Sequence, residues 1–177
     1  LTLSNVGIFV GVGGGLTDVG SDGDYSNDTV ANGTLGFGAT VTTLTLVSIK
    51  DRGASALLAT DDRTYLGVAL KDFDGDLVGL DDLLVFHAYN VDAVINKSVH
   101  ADGVTAVSKL DWSTFSNTGM DLSAAKTALN ATTLGAVTAS VDLAVDGGVA
   151  LNVLDGVLVA KGDFTLALGQ VRSAALF

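Results

Sequence analysis

The stretch Ala139–Val171, ASVDLAVDGGVALNVLDGVLVAKGDFTLALGQV, decides how this chain is read. Its runs Ser140–Val145, Val149–Leu154 and Phe164–Leu168 alternate, or nearly alternate, apolar and small polar residues. Gly-Asp clusters separate them: Asp146-Gly147-Gly148, Asp155-Gly156 and Lys161-Gly162-Asp163. Period-two alternation broken by such clusters is the pattern of strands joined by tight turns. The Gly156–Ala160 run between them, GVLVA, is apolar on both faces and predicts a strand covered on two sides.

Working outward, Thr2–Val12 reads as strand up to the break at Gly13-Gly14-Gly15, and the polar, acidic Thr17–Gly33 reads as an exposed loop. Thr34–Lys50, TLGFGATVTTLTLVSIK, carries the strongest β signal, turned by Asp51-Arg52-Gly53. Ala54–Ala59 and Thr64–Lys71 are expected as short strands, and Asp72–Asp76, DFDGD, as a turn. Leu83–Ile95 is strand again, with Leu84, Phe86, Ala88 and, past a register change, Val91 facing inward. Asn96–Asn117 is looser and holds the only tryptophan, Trp112. One helix is expected, capped by Asp121 or Ser123, with Leu122, Ala125 and Leu129 on one face. Roughly ten to twelve strands and one short helix make an all-β module, an elongated β-sandwich or a β-roll or solenoid-like unit. The whole of 1–177 is expected to be one module, a repeat or a polymerising subunit. The absence of a fixed short period favours the sandwich or roll over the solenoid.

Composition narrows the function. The chain is 48% hydrophobic and only 16% charged, so it must hide apolar surface, and a partner subunit is a candidate for doing so. No apolar run approaches the roughly 18 residues of a spanning helix, and 6% aromatic residues are few for the two girdles of a membrane barrel. The net charge of −11 repels phosphate backbones and argues against nucleic acid. Cysteine is absent, so disulfides and thiolate metal sites are too; proline is also absent, so no main-chain donor is lost to a sheet ladder. The apolar beginning and the SAALF ending suggest a segment of a longer polypeptide or ends that pack into a neighbouring copy.

Candidate chemistry is sparse. Gly11–Leu16 follows a strand, but Leu16 stands where a dinucleotide fingerprint needs its third glycine, and no helix pattern follows. Asp72, Asp74 and Asp76, with Asp81 and Asp82, set carboxylates at alternate positions around a glycine, as calcium loops do. The match is partial, because Leu83 takes the place of the usual bidentate glutamate. Asp22, Asp24 and Asp28 form a second candidate set, and calcium (Ca2+) is the one cofactor these residues suggest. The plain reading of both sets is turn-forming aspartates at a sheet rim. His87 and His100 lack the spacing of a zinc pair, and no nucleophile elbow, catalytic cysteine or Walker lysine is present. All twenty acids are aspartate, and stacking aromatics are few, so glycoside chemistry is weakly supported. Asn27, Asn32, Asn96 and Asn130 begin glycan acceptor triplets, compatible with an extracellular life.

The landmarks LTLSNVGIFVGVGGGLTD, TLGFGATVTTLTLVSIKD, YLGVALKDFDGDLVGLDDLLVFHAYNVDAVIN and VDLAVDGGVALNVLDGVLVAKGDFTLAL, in that order, resemble one repeat of the very large, tandemly repeated bacterial surface proteins. The resemblance implies an extracellular or cell-surface fibre, adhesin or matrix component rather than an enzyme, and supplies no catalytic residues. Two expectations follow. One is a structural subunit whose copies continue one another by strand addition. The other is a calcium-dependent adhesion module that meets a surface glycan through Thr17–Gly33 and Lys71–Asp82.

Overall fold

Valine, threonine, leucine and isoleucine fill the run Leu35–Asp51, and the structure, a computed structural model describing residues 1–54, 59–116 and 119–169, holds it as one unbroken strand. In chain order the strands are β1 (Thr2–Val12), β2 (Gly15–Thr17), β3 (Thr29–Ala31), β4 (Leu35–Asp51), β5 (Arg63–Val78), β6 (Leu84–His100), β7 (Val141–Val153) and β8 (Leu158–Gly169). Among the described residues a single short α-helix, α1 (Ser123–Leu129), precedes β7. The molecule is therefore all-β with one short helix. Six strands form an antiparallel sheet in the order β1-β4-β5-β6-β7-β8, and β2 and β3 pair as a separate ribbon. β4 and β6 have 17 residues each, so the sheet is about 55 Å long at about 3.3 Å per residue. The sheet does not close, since β1 and β8 lie at opposite edges.

Residues opposite one another in a ladder share a face, so the register sorts the side chains. On one face Val47 stands opposite Gly67 and Gly67 opposite Asn96; beside them runs the rung Thr45, Ala69, Val94 and Ala144. The 101–140 segment lies over these positions. Its Trp112, Leu129 and Val137 are 0% exposed and complete a core with Val47, Ala69 and Val94. Gly67 makes this approach possible, because a Cβ there would stand 2.9 Å from Trp112 Cε2 and 3.0 Å from Leu129 Cδ1. The helix starts where expected but without the expected side-chain cap: Leu122 is the N-cap residue, and Asp121 Oδ1 accepts from the Ser123 backbone N–H at 2.9 Å in the turn that leads into it. Leu129 is buried, with Leu122 and Ala125 packed against the core.

On the opposite face the same strands carry two consecutive rungs made wholly of apolar side chains. The first runs Leu3, Leu44, Leu70, Ala93, Val145 and Leu166, crossing all six strands. The second runs Leu46, Val68, Ile95, Leu143 and Leu168. Farther along this face the β2–β3 ribbon lies over the sheet, with Val30 Cβ 3.1 Å from where a Gly7 Cβ would be and Asn32 against Gly38.

Several expected turns are strand interior. DFDGD lies within β5 because Asp72 takes a left-handed conformation, φ 48°, inside the strand, and its N–H is satisfied by the Asp92 carboxylate at 2.8 Å. Aspartate and asparagine tolerate that conformation, as Asn5 (φ 53°) and Asn90 (φ 52°) do in β1 and β6. Gly147-Gly148 and Lys161-Gly162-Asp163 also fall inside strands, so the 139–171 stretch holds two strands rather than four. A Cβ on Gly148 would stand 2.2 Å from Tyr89 Cε2, so this glycine serves a close approach rather than a turn. The Tyr89 ring in turn faces Lys161 Nζ at 5.5 Å. Among the described residues eight strands consequently stand where ten to twelve were expected.

The hairpin at Asp155-Gly156 is present, with Leu154, Asp155 and Gly156 all at positive φ. GVLVA is not covered on two sides: β8 is the sheet edge, and Val157 and Val159 are 79% and 67% exposed. Thr17–Gly33 is exposed for most of its length but contributes β3. In β6 a register change falls between Tyr89 and Asp92, and the buried side chains beyond it are Asp92, Val94 and Asn96, while Val91 is half-buried. The strand expected over Ala54–Ala59 falls largely on 55–58, and the apolar ending on 170–177; both lie outside the described residues.

Candidate functional site

The surfaces able to engage a partner follow from the topology. Among the described residues β1 has one neighbour, β4, and its sequence TLSNVGIFVGV contains no charge and no proline. Among the described residues β8 likewise has one neighbour, β7, and it is exposed along its whole described length, with Lys161 and Asp163 as its only charges. Edge strands in natural proteins are usually short, charged, kinked or covered. These have 11 and 12 residues, and only the left-handed Asn5 interrupts either line.

The second surface is the pair of apolar rungs. None of their side chains is buried and none belongs to the core; Leu46 is 40% and Leu168 51% exposed. No charged residue occurs in either rung. At one margin Lys97 follows Ile95 by two positions along β6, and at the other Asp72 follows Leu70 by two along β5.

The acidic candidates are spread over strand, turn and loop. Asp72, Asp74 and Asp76 lie along β5: Asp72 sits 4.0 Å from Lys71 Nζ, Asp74 accepts the Asn90 N–H at 2.9 Å, and Asp76 contacts His87 Nδ1. Asp81 and Asp82 lie in the turn before β6, where the Leu83 and Leu84 N–H groups both bond Leu80 O. In the first loop Asp22 accepts from the Asp24 N–H at 2.8 Å, Asp24 from the Ser26 N–H at 2.9 Å and Asp28 from the Val19 N–H at 3.2 Å. The hydrogen bonds from Ser26, backbone first, hold the Asp24 carboxyl below the usual carboxylate range. Among the described residues no three histidine or aspartate side chains gather as a metal group.

No family model, curated protein or solved structure matches the chain. The reading of function therefore stands on surfaces and registers. Among the described residues no helix is long and apolar enough to cross a membrane.

The polar residues that matter most to the architecture are ones the alternation did not single out. Asp92, 1% exposed, bonds the Asp72 N–H on one side and, on the other, the Thr133 N–H at 2.6 Å and Thr133 Oγ1 at 2.9 Å. Asn96 donates to Leu110 O at 2.8 Å and Thr138 O at 2.9 Å and accepts from Trp112 Nε1 at 3.0 Å. Lys109 donates to Val141 O at 2.8 Å and pairs with Asp142. Each ties the 101–140 segment to the sheet. Their signal in the sequence is a polar side chain at an inward strand position, NVDAVIN, where an unpartnered polar group would be costly.

Proposed function

We propose that this chain is a structural subunit of an extracellular filament, fibre or surface matrix, whose copies join by adding strand to strand at open sheet edges. The observation that carries this reading is β1: eleven residues at the edge of a six-stranded sheet, without charge or proline. An edge of that kind is a template for another strand. Exposed β8 supplies a second edge at the other side of the same sheet, so an edge-to-edge contact can be repeated rather than closing on itself. The landmark resemblance to tandemly repeated surface proteins argues for a setting outside the cell, where a cysteine-free, acidic chain is at no disadvantage.

The test is to charge the edges. Val10→Lys, Val12→Lys and Val159→Lys together place three ammonium groups on the two edges at exposed positions. Negative-stain microscopy is expected to show fibres for the unaltered chain and discrete particles for this edge variant. Discrete particles from the unaltered chain at every concentration would refute the reading.

A further inference from the structure

We propose that β8 is a self-recognising edge: it pairs with β8 of a second copy, antiparallel, about a two-fold axis that stands normal to the sheet at Gly162. This rests on the reading that open edges of this sheet take another strand, and it names which edge meets which.

The described part of β8, LVAKGDFTLALG, holds two charges, opposite in sign and placed one on each side of Gly162. Its pairing with β7 is continuous from Val153–Leu158 to Leu143–Leu168, so no bulge disturbs the alternation, and Lys161 and Asp163 stand on the same face. Two positions apart along a strand they are separated by about 7 Å, too far to pair with each other. Among the described residues neither makes an ion pair with any other group. Lys161 Nζ lies 5.5 Å from the centre of the Tyr89 ring, a contact that leaves the ammonium donors for a carboxylate.

Register selects the partner. A two-fold axis normal to the sheet keeps each face on its own side, and residues opposite one another in a ladder share a face, so the axis falls on a residue position. With the axis at Gly162, Lys161 of each copy stands opposite Asp163 of the other, and this happens twice. The opposite face then sets Leu158 against Leu166 and Ala160 against Phe164. With the axis at Lys161 lysine meets lysine, and at Asp163 aspartate meets aspartate. At every other position within β8 both charges meet uncharged side chains or overhang the strand. Uncharged β1 gives Lys161 and Asp163 no counterpart. A parallel joining, about an axis along the strands, turns the two covered faces to opposite sides and parts the charges. Charge on an edge strand ordinarily keeps other strands away. Here the pair admits one partner in one register and turns away the rest. Two six-stranded sheets are thereby joined as one, with β1 at both ends open to further addition.

The experiment uses Val10→Lys with Val12→Lys, at exposed positions, which charges β1 and leaves β8 as the open edge. In sedimentation equilibrium at roughly 100 micromolar this β1 variant is expected as a discrete dimer. Lys161→Asp or Asp163→Lys, added singly, sets like charges opposite one another twice and is expected to raise the dissociation constant at least about tenfold. The two single variants mixed together are expected to form a heterodimer. The exchange of both, Lys161→Asp with Asp163→Lys in one chain, is expected to restore the homodimer to within about threefold, with circular dichroism showing an intact sheet throughout. A monomeric β1 variant, single variants that dimerise unchanged, or an exchange that fails to restore pairing would overturn the proposal. A β8 dimer with no fibres from the unaltered chain would count against the filament reading alone. Fibres from the unaltered chain beside a monomeric β1 variant would count against β8 self-pairing alone.

Discussion

Val47, Ala69 and Val94 lie one position away, along the same strands, from Leu46, Val68 and Ile95. The first set sits beneath Trp112, Leu129 and Val137; the second faces outward, and none of it is buried. Hydrophobicity does not separate them, since both sets are aliphatic. What separates them is polar anchoring. The covered face carries Asp92 and Asn96, whose side chains bond groups in the 101–140 segment at Thr133, Leu110 and Thr138. The apolar rungs carry no polar side chain at all. A face with buried polar anchors is specified for one particular intramolecular lid, and the face without them carries none.

The largest effect is expected where the lid meets the sheet. Trp112→Ala removes the biggest fully buried side chain and is expected to cost about 3–5 kcal/mol in denaturant unfolding. Asn96→Ala leaves the Trp112 N–H and two carbonyls without their partner, at about 1–3 kcal/mol for each buried group. Gly67→Ala puts a methyl 2.9 Å from the indole and is expected to cost about 1–3 kcal/mol. On the other face the comparison sharpens by contrast: Leu46→Ser, at a 40% exposed position, is expected to change the stability of the dissociated chain by no more than about 0.5 kcal/mol.

The smallest effect comes from pH and again belongs to the covered side. The Ser113 hydroxyl, chiefly, with the Ser113 and Thr114 N–H groups, holds the Asp111 carboxyl below its ordinary value, and Thr105 does the same for Asp102. A lowered carboxylate adds stability that is fully present above the unfolded value, about 3.9, and is lost as pH falls through the lower folded value. The melting temperature is therefore expected to fall on acidification below about pH 4, and less steeply in Asp111→Asn. That residue opens the turn carrying Trp112, so the pH effect and the core effect share one segment.

Strand identity was legible where β-branched residues were dense and long: Thr2–Val12 and Thr34–Lys50 read almost to the residue. The helix read correctly because its apolar residues recur at i, i+3 and i+7, although the N-cap is Leu122 rather than Asp121 or Ser123. Turn signals misled inside long strands. Asp72 looked like a turn residue and is a left-handed residue whose N–H finds Asp92, and Gly148 looked like a turn and makes room for Tyr89. Those purposes belong to side chains far off in sequence, which local pattern cannot show. Of the candidate calcium residues in the first loop, Asp22, Asp24 and Asp28 each accept a main-chain N–H, while Asp92 and Asn96 were hidden because they break an apolar alternation from within. Which face lacked a cover was also beyond alternation, since two aliphatic faces give a continuous apolar run whether the second is buried or bare.

The open edges β1 and β8 support the proposal that copies of this chain join one another. Sedimentation velocity of the unaltered chain over a hundredfold dilution series tests that most directly. The expected result is a distribution that shifts to larger species as concentration rises and moves back when Val10, Val12 and Val159 are changed to lysine. A single monomeric boundary, identical at the highest and lowest concentrations, would contradict it.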